Sequence, residues 1–179
     1  MRLLPFAAAI LCAGMLLGSQ PASAQSDRDA TREKLRQTLT SAGQRDDVNT
    51  SFRQSTKNRY NFVGQMTTGM RNSDYLEIVV SVTKSDTIGF RIYPHYKGGY
   101  INLGKARDTN GLMRRLLYYS DQNFLFWGAD DTADVFCGYT VTLESGFPSD
   151  AIVVILRSIK NTDKFVGEMR PYIDGTVAT

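Results

Sequence analysis

A chain of 179 residues, 42% hydrophobic and with a formal net charge of +3, has room for one self-sufficient core and lacks the strongly basic balance that advertises nucleic-acid binding. Two cysteines and one histidine are too few for a zinc or copper cage, because those metals want several nitrogen or sulfur ligands. No cofactor is implied by the composition.

Residues 1–24 have the plan of a cleavable signal peptide: Arg2, an apolar run over 3–17, and the small-residue motif Ala22-Ser23-Ala24 ahead of Gln25. Cleavage between Ala24 and Gln25 is expected, with delivery to the periplasm or the medium. The apolar run is short for a spanning helix of roughly 20 residues, and no second one follows, so no stable membrane insertion is expected after cleavage. Loss of the leader removes Cys12 and leaves Cys137 without an internal disulfide partner. In the alternating run over 135–141 that thiol reads as a small buried side chain.

Residues 25–59 are polar and charged, with Leu35 and Leu39 one helical turn apart and Val48 and Phe52 repeating the spacing. The pattern predicts a helix over 29–42 and a loosely ordered or helical second stretch, a partly helical arm either tethered to the domain or free for a partner. From Tyr60 the character changes. The segments 61–66, 76–83 and 87–93 are rich in β-branched and aromatic residues and read as strands, the last two joined by Lys84-Ser85-Asp86 as an antiparallel hairpin. Pro94 and Gly98-Gly99 punctuate, and 100–103 adds a short strand.

Thr109 or Asn110 is placed to cap a helix through Tyr119 that buries Leu112, Met113, Leu116 and Leu117 while Arg114 and Arg115 face water. Strands over 124–127 and 134–144 flank the turn Gly128-Ala129-Asp130-Asp131. Pro148 and Asp150 then open a long helix carrying Ile152, Ile155, Leu156, Ile159, Phe165, Val166, Met169, Tyr172 and Ile173, which Pro171 and Gly175 end. The expectation is an α+β domain over 60–175: an antiparallel sheet of about five or six strands packed against two or three helices.

No nucleophile–base pair, carboxylate pair or metal cluster stands out along the chain. His95 lies in Arg91-Ile92-Tyr93-Pro94-His95-Tyr96-Lys97, where a surface or hydrogen-bonded structural role is expected; an enzyme built on His95 and nearby hydroxyls is the weakest alternative. Asp130, Asp131 and Asp134 lack the alternating ligands, central glycine and closing glutamate of a calcium loop, so a solvated turn is expected. What remains is a concentration of aromatic and cationic side chains on one hairpin, Arg91, Tyr93, His95, Tyr96, Lys97 and Tyr100, the residue types over-represented where proteins meet partners. That hairpin is the candidate partner-binding surface.

The tract 124–169, with its acidic turn, the strand ending Val141-Thr142-Leu143-Glu144-Ser145-Gly146-Phe147 and the helix opened by Pro148-Ser149-Asp150, resembles the YbjN-like domain, a family of bacterial sensory-transduction regulators. The resemblance covers roughly 60–173. It implies a fold like that of the type III secretion chaperones, helices on an antiparallel sheet, and a non-enzymatic role, with no catalytic residues to carry over. The expectation is an exported binding module for a protein or peptide, chaperone-like or regulatory, with a homodimer compatible with it. The alternative is an inhibitor or immunity-type protein that blocks a secreted hydrolase or toxin.

Overall fold

In a computed structural model of the chain, the structure describes residues 22–123 and 125–175, with side chains from Asp27 onward. The signal-peptide segment lies almost wholly outside them. Helix α1 spans Ala22–Gly43, strand β1 Phe52–Gln54, β2 Asn61–Met66, β3 Tyr75–Val82, β4 Thr87–Tyr96 and β5 Gly99–Tyr100. Helix α2 (Thr109–Asn123), strands β6 (Phe126–Ala129) and β7 (Val135–Thr142), and helices α3 (Ser149–Ser158) and α4 (Asp163–Asp174) complete the order.

The strands form one antiparallel sheet in the order β1-β2-β3-β4-β7-β6, with β5 folded back on the end of β4. Alternation along the strands explains why only one face carries the core: Phe62, Met66, Leu76, Ile78, Val80, Val82, Ile88, Phe90 and Ile92 all point to the helices and are almost fully buried. The register keeps that face continuous, pairing Ile78 with Ile92, and Ile92 and Trp127 with Cys137. Burial pushes the Cys137 thiol up to about 12, so it stays protonated as an ordinary small core residue.

The helices fill in behind the sheet. Leu35, Leu39 and Ala42 of α1, Leu112, Leu116 and Tyr119 of α2, Ile152 and Leu156 of α3, and Phe165, Val166 and Met169 of α4 belong to the same core as the strands. Residues 27–59 therefore contribute to the interior, with Leu35 and Leu39 no more than 1% exposed. A stripe that looks thin in sequence suffices here because each leucine is fully buried, worth about 1.5–3 kcal/mol apiece. At the start of α1 the guanidinium of Arg28 lies 3.6 Å from the centre of the Tyr60 ring and donates to the Val82 carbonyl at 2.6 Å. Asp29 accepts from the Tyr60 hydroxyl at 2.8 Å and pairs with Arg59.

Local differences from the sequence pattern have identifiable causes. A seventh strand, β1, arises in the polar segment because Phe52 lies on Gly64, where a Cβ would come within 2.8 Å of its ring. Asp108 caps α2 by accepting from the Gly111 amide at 2.8 Å, so the start signal lies one residue before Thr109 and two before Asn110. That helix is rotated to bury Tyr119, leaving Met113 and Leu117 on the surface at 41% and 69% exposure. The long C-terminal helix is α3 and α4 joined by a 3-10 turn at Ile159–Thr162, and it runs through Pro171 to a left-handed cap at Gly175.

Asp163 performs a separate task at that join. It is 5% exposed and accepts from the amides of Arg71, Asn72 and Ser73 and from the Ser73 hydroxyl at 2.6–3.1 Å. Burial pushes its carboxyl up, but the Ser73 hydroxyl and these amides outweigh burial and hold it below the usual range. The loop between β2 and β3 is thereby tied to the start of α4.

Candidate functional site

The face of the sheet turned away from the helices has no element packed over it among the described residues, and it carries aromatic rings among its polar and charged side chains. Its rows follow from the strand register. One row runs Val63, Val79, Arg91, Gly138, Phe126 across β2, β3, β4, β7 and β6; the next holds Gln65, Glu77 and Tyr93, with Gly128 paired to Phe136; a third holds Tyr75, His95 and Tyr100. On the other side of the Arg91 row lie Asn61, Ser81, Gly89 and Thr140.

The aromatic rings of this face touch in a chain. Tyr75 stacks on His95 with centroids 4.0 Å apart, His95 meets Tyr100 at 4.1 Å, and Tyr100 meets Tyr93 edge-on at 5.7 Å. Tyr93 continues to Phe136 at 5.6 Å, and Phe136 to Phe126 at 5.8 Å. Such offset and edge contacts are the favoured geometries for rings, each adding about 0.5–1.5 kcal/mol beyond area burial. The Arg91 guanidinium sits 4.7 Å from the centre of the Phe136 ring. Gly138 makes this possible: a Cβ there would fall 1.9 Å from the Phe126 ring, so the phenyl group lies flat over the missing side chain.

Above these rows is an open hollow of about 750 Å³, within the size range of ligand clefts. Arg91, Tyr93, Tyr100, Phe126 and Tyr139 line it together with Glu77, Val79 and Gly89. At one end it meets Arg28 and Lys57, and at the other Asp130 and Asp134. The Tyr100 hydroxyl donates to Glu77 Oε1 at 3.0 Å; burial first, and this bond second, raise the Tyr100 phenol well above its ordinary value. Burial likewise raises the Tyr93 phenol, against the pull of Arg91.

The six hairpin residues do not form one surface. Arg91, Tyr93, His95 and Tyr100 share the open face, whereas Tyr96 and Lys97 turn to the helix side, where the Tyr96 hydroxyl and the Lys97 ammonium each donate to Asp174 at 2.8 Å. Period-two alternation sends Tyr96 the other way from His95, and Lys97 enters the left-handed region at φ 55° in the turn to Gly98. His95 is not on the surface. It is 5% exposed between two tyrosines, and its Nε2 is buried without a hydrogen-bond partner among the described residues. Burial lowers its pKa from 6.5, while the carboxylates of Glu77, Asp74 and Asp134 pull the other way. A hydroxyl poised on Nε2, as an enzyme built on His95 requires, is not seen among the described residues.

Tyr119 is a core residue whose hydroxyl donates to Glu168 at 3.0 Å, while its neighbour Tyr118 is 51% exposed. Asp130 staples its own turn, accepting from the Thr132 amide and hydroxyl and from the Asp134 amide at 2.7–3.0 Å. Among the described residues no group of three His, Cys, Asp or Glu side chains is placed to hold a metal ion, and no helix is long and apolar enough to cross a membrane. Residues of the face that sequence reading passed over are Glu77, Phe126, Phe136 and Gly138. Their signal was the odd-numbered alternation of β3 and the glycine opposite an aromatic, which means something only once the register is known.

No protein-family model matches the chain, and no curated protein matches it.

Proposed function

We propose that this chain is an exported, non-enzymatic binding module of the YbjN-like kind, and that it holds a polypeptide segment on the open face of its sheet. The observation that carries the reading is that a sheet face with no element packed on it among the described residues is lined by Tyr93, Tyr100, Phe126 and Arg91 over a hollow of about 750 Å³. A face meant only for water carries short polar side chains; the exposed rings of Tyr100 and Phe126, with an arginine between them, fit a partner surface. The arm and the sheet edges support it less, because the apolar stripe of α1 is spent on the core and the edge strands β1 and β6 have three and four residues.

Selection of a displayed random-peptide library on the purified chain tests this. The expected result is enrichment of peptides that shift the amide resonances of Gly89, Arg91 and Gly138 and lose binding to Phe126→Ala. A library without enrichment, or enriched peptides whose shifts map to the helices, overturns it. Export is tested by fusing residues 1–24 to alkaline phosphatase, which is active only outside the cytoplasm; an inactive fusion removes that part.

A further inference from the structure

The hollow separates its charges. Glu77, Asp130 and Asp134 stand toward the Tyr93 end and Arg28 and Lys57 toward the Ser81 end; Arg91 belongs to the row between, with its guanidinium leaning over Phe136 toward the Tyr93 hydroxyl. Seven ion pairs occur among the described residues, several on open surface, yet these six side chains take part in none of them. Opposite charges lining one hollow without meeting leave a field along it, and a ligand with the matching polarity gains at both ends.

The strand register gives the spacing. Glu77 and Ser81 belong to rows four residues apart on β3, which at about 3.3 Å per residue is about 13 Å. An extended peptide rises by the same amount per residue, so charges that suit both ends lie four positions apart in the ligand. At the acidic end the 41% exposed Tyr100 ring stands beside Glu77, a side chain of the kind that a cation favours. Val79 in the middle row and Gly89 in the Ser81 row keep the floor low on β3 and β4. A second copy of this chain is a poorer occupant, since two hollow faces laid together enclose a void.

We propose that the hollow receives an extended peptide segment of about five residues with a cationic side chain at one end and a carboxylate at the other, the cation beside Glu77 and Tyr100 and the carboxylate facing Arg28 and Lys57. This rests on the peptide-binding reading above and specifies its ligand.

The test uses the purified chain and two capped peptides of one composition, Lys-Ala-Ala-Ala-Glu and Ala-Lys-Glu-Ala-Ala, titrated by amide chemical shift in low salt. The separated-charge peptide is expected to bind about fivefold tighter, as exposed pairs at both ends allow, and to lose that advantage in Glu77→Gln and at high salt. Gly89→Ile serves as the blocking variant. A Cβ there meets only Thr83 Cγ2, at 3.6 Å, so the variant is expected to keep the unfolding midpoint and lose both peptides. Equal binding of the two isomers, or binding that survives Gly89→Ile, overturns the inference. If neither isomer binds while library-selected peptides do, the bipolar ligand falls and the module stands. If nothing binds the open face, both fall.

Discussion

His95 is clamped by Tyr75 and Tyr100, and its Nε2 finds no partner in the described residues. Because burial holds its pKa below 6.5, the unfolded chain takes up a proton that the folded chain resists. The contribution of His95 to stability is thus full above pH 6.5 and drains as pH falls toward the lower folded value. His95→Phe, which keeps a ring in the stack and removes the orphaned nitrogen, is expected to narrow the gap between urea midpoints at pH 8 and pH 5. A gap as wide as in the parent chain contradicts this. Gly138 and Phe126 form a second residue-scale device. Gly138→Ala drives a methyl into the Phe126 ring and is expected to cost about 1–3 kcal/mol, and most of that cost should vanish in a Phe126→Ala background. A double-mutant cycle by urea denaturation measures the coupling.

At the scale of elements, α1 is the informative case. Leu39 is 1% exposed, in a helix that packs on β3 and α3, whereas Leu117 of α2 is 69% exposed. Leu39→Ala is expected to lower stability by about 2–5 kcal/mol, and Leu117→Ala to change it by less than about 0.5 kcal/mol. Thermal unfolding of the two variants side by side checks both, and an α1 that behaved as a loose arm would reverse the order. The loop before β3 owes its position to a comparable tie: Asp163 gathers three successive amides, and the Arg170 guanidinium donates to the Asn72 carbonyl at 2.6 Å from the same helix.

Over the whole molecule, one core joins all four α-helices to the sheet, so the described residues should unfold together. The chain's single tryptophan reports on this. Trp127 is 5% exposed and lies 5.7 Å from both Tyr119 and Phe165, at the meeting point of β6, α2 and α4. Its fluorescence change and the loss of far-UV circular dichroism are expected to fall on one urea curve with one midpoint. A helical signal lost earlier than the tryptophan signal would detach α1 from the cooperative unit.

Period-two runs such as Leu76, Ile78, Val80 and Val82, and the helical stripe through Ile152, Leu156 and Val166, made the α+β class and the antiparallel sheet legible from sequence, because periodicity records which face is dry. Capping at Asp108, the rotation of α2 onto Tyr119 and the depth of Leu35 in the core depended on what each helix met, which no local pattern states. Half of the candidate surface was readable for the same reason and half was not. Arg91, Tyr93 and His95 alternate visibly along one strand, but Glu77, Gly138 and Phe126 join them from three other strands. The sequence by itself determined which side of each strand is greasy; only the tertiary structure decided which strands lie side by side, and so which charges and rings share a hollow, because pairing register is set by contacts distant in the chain.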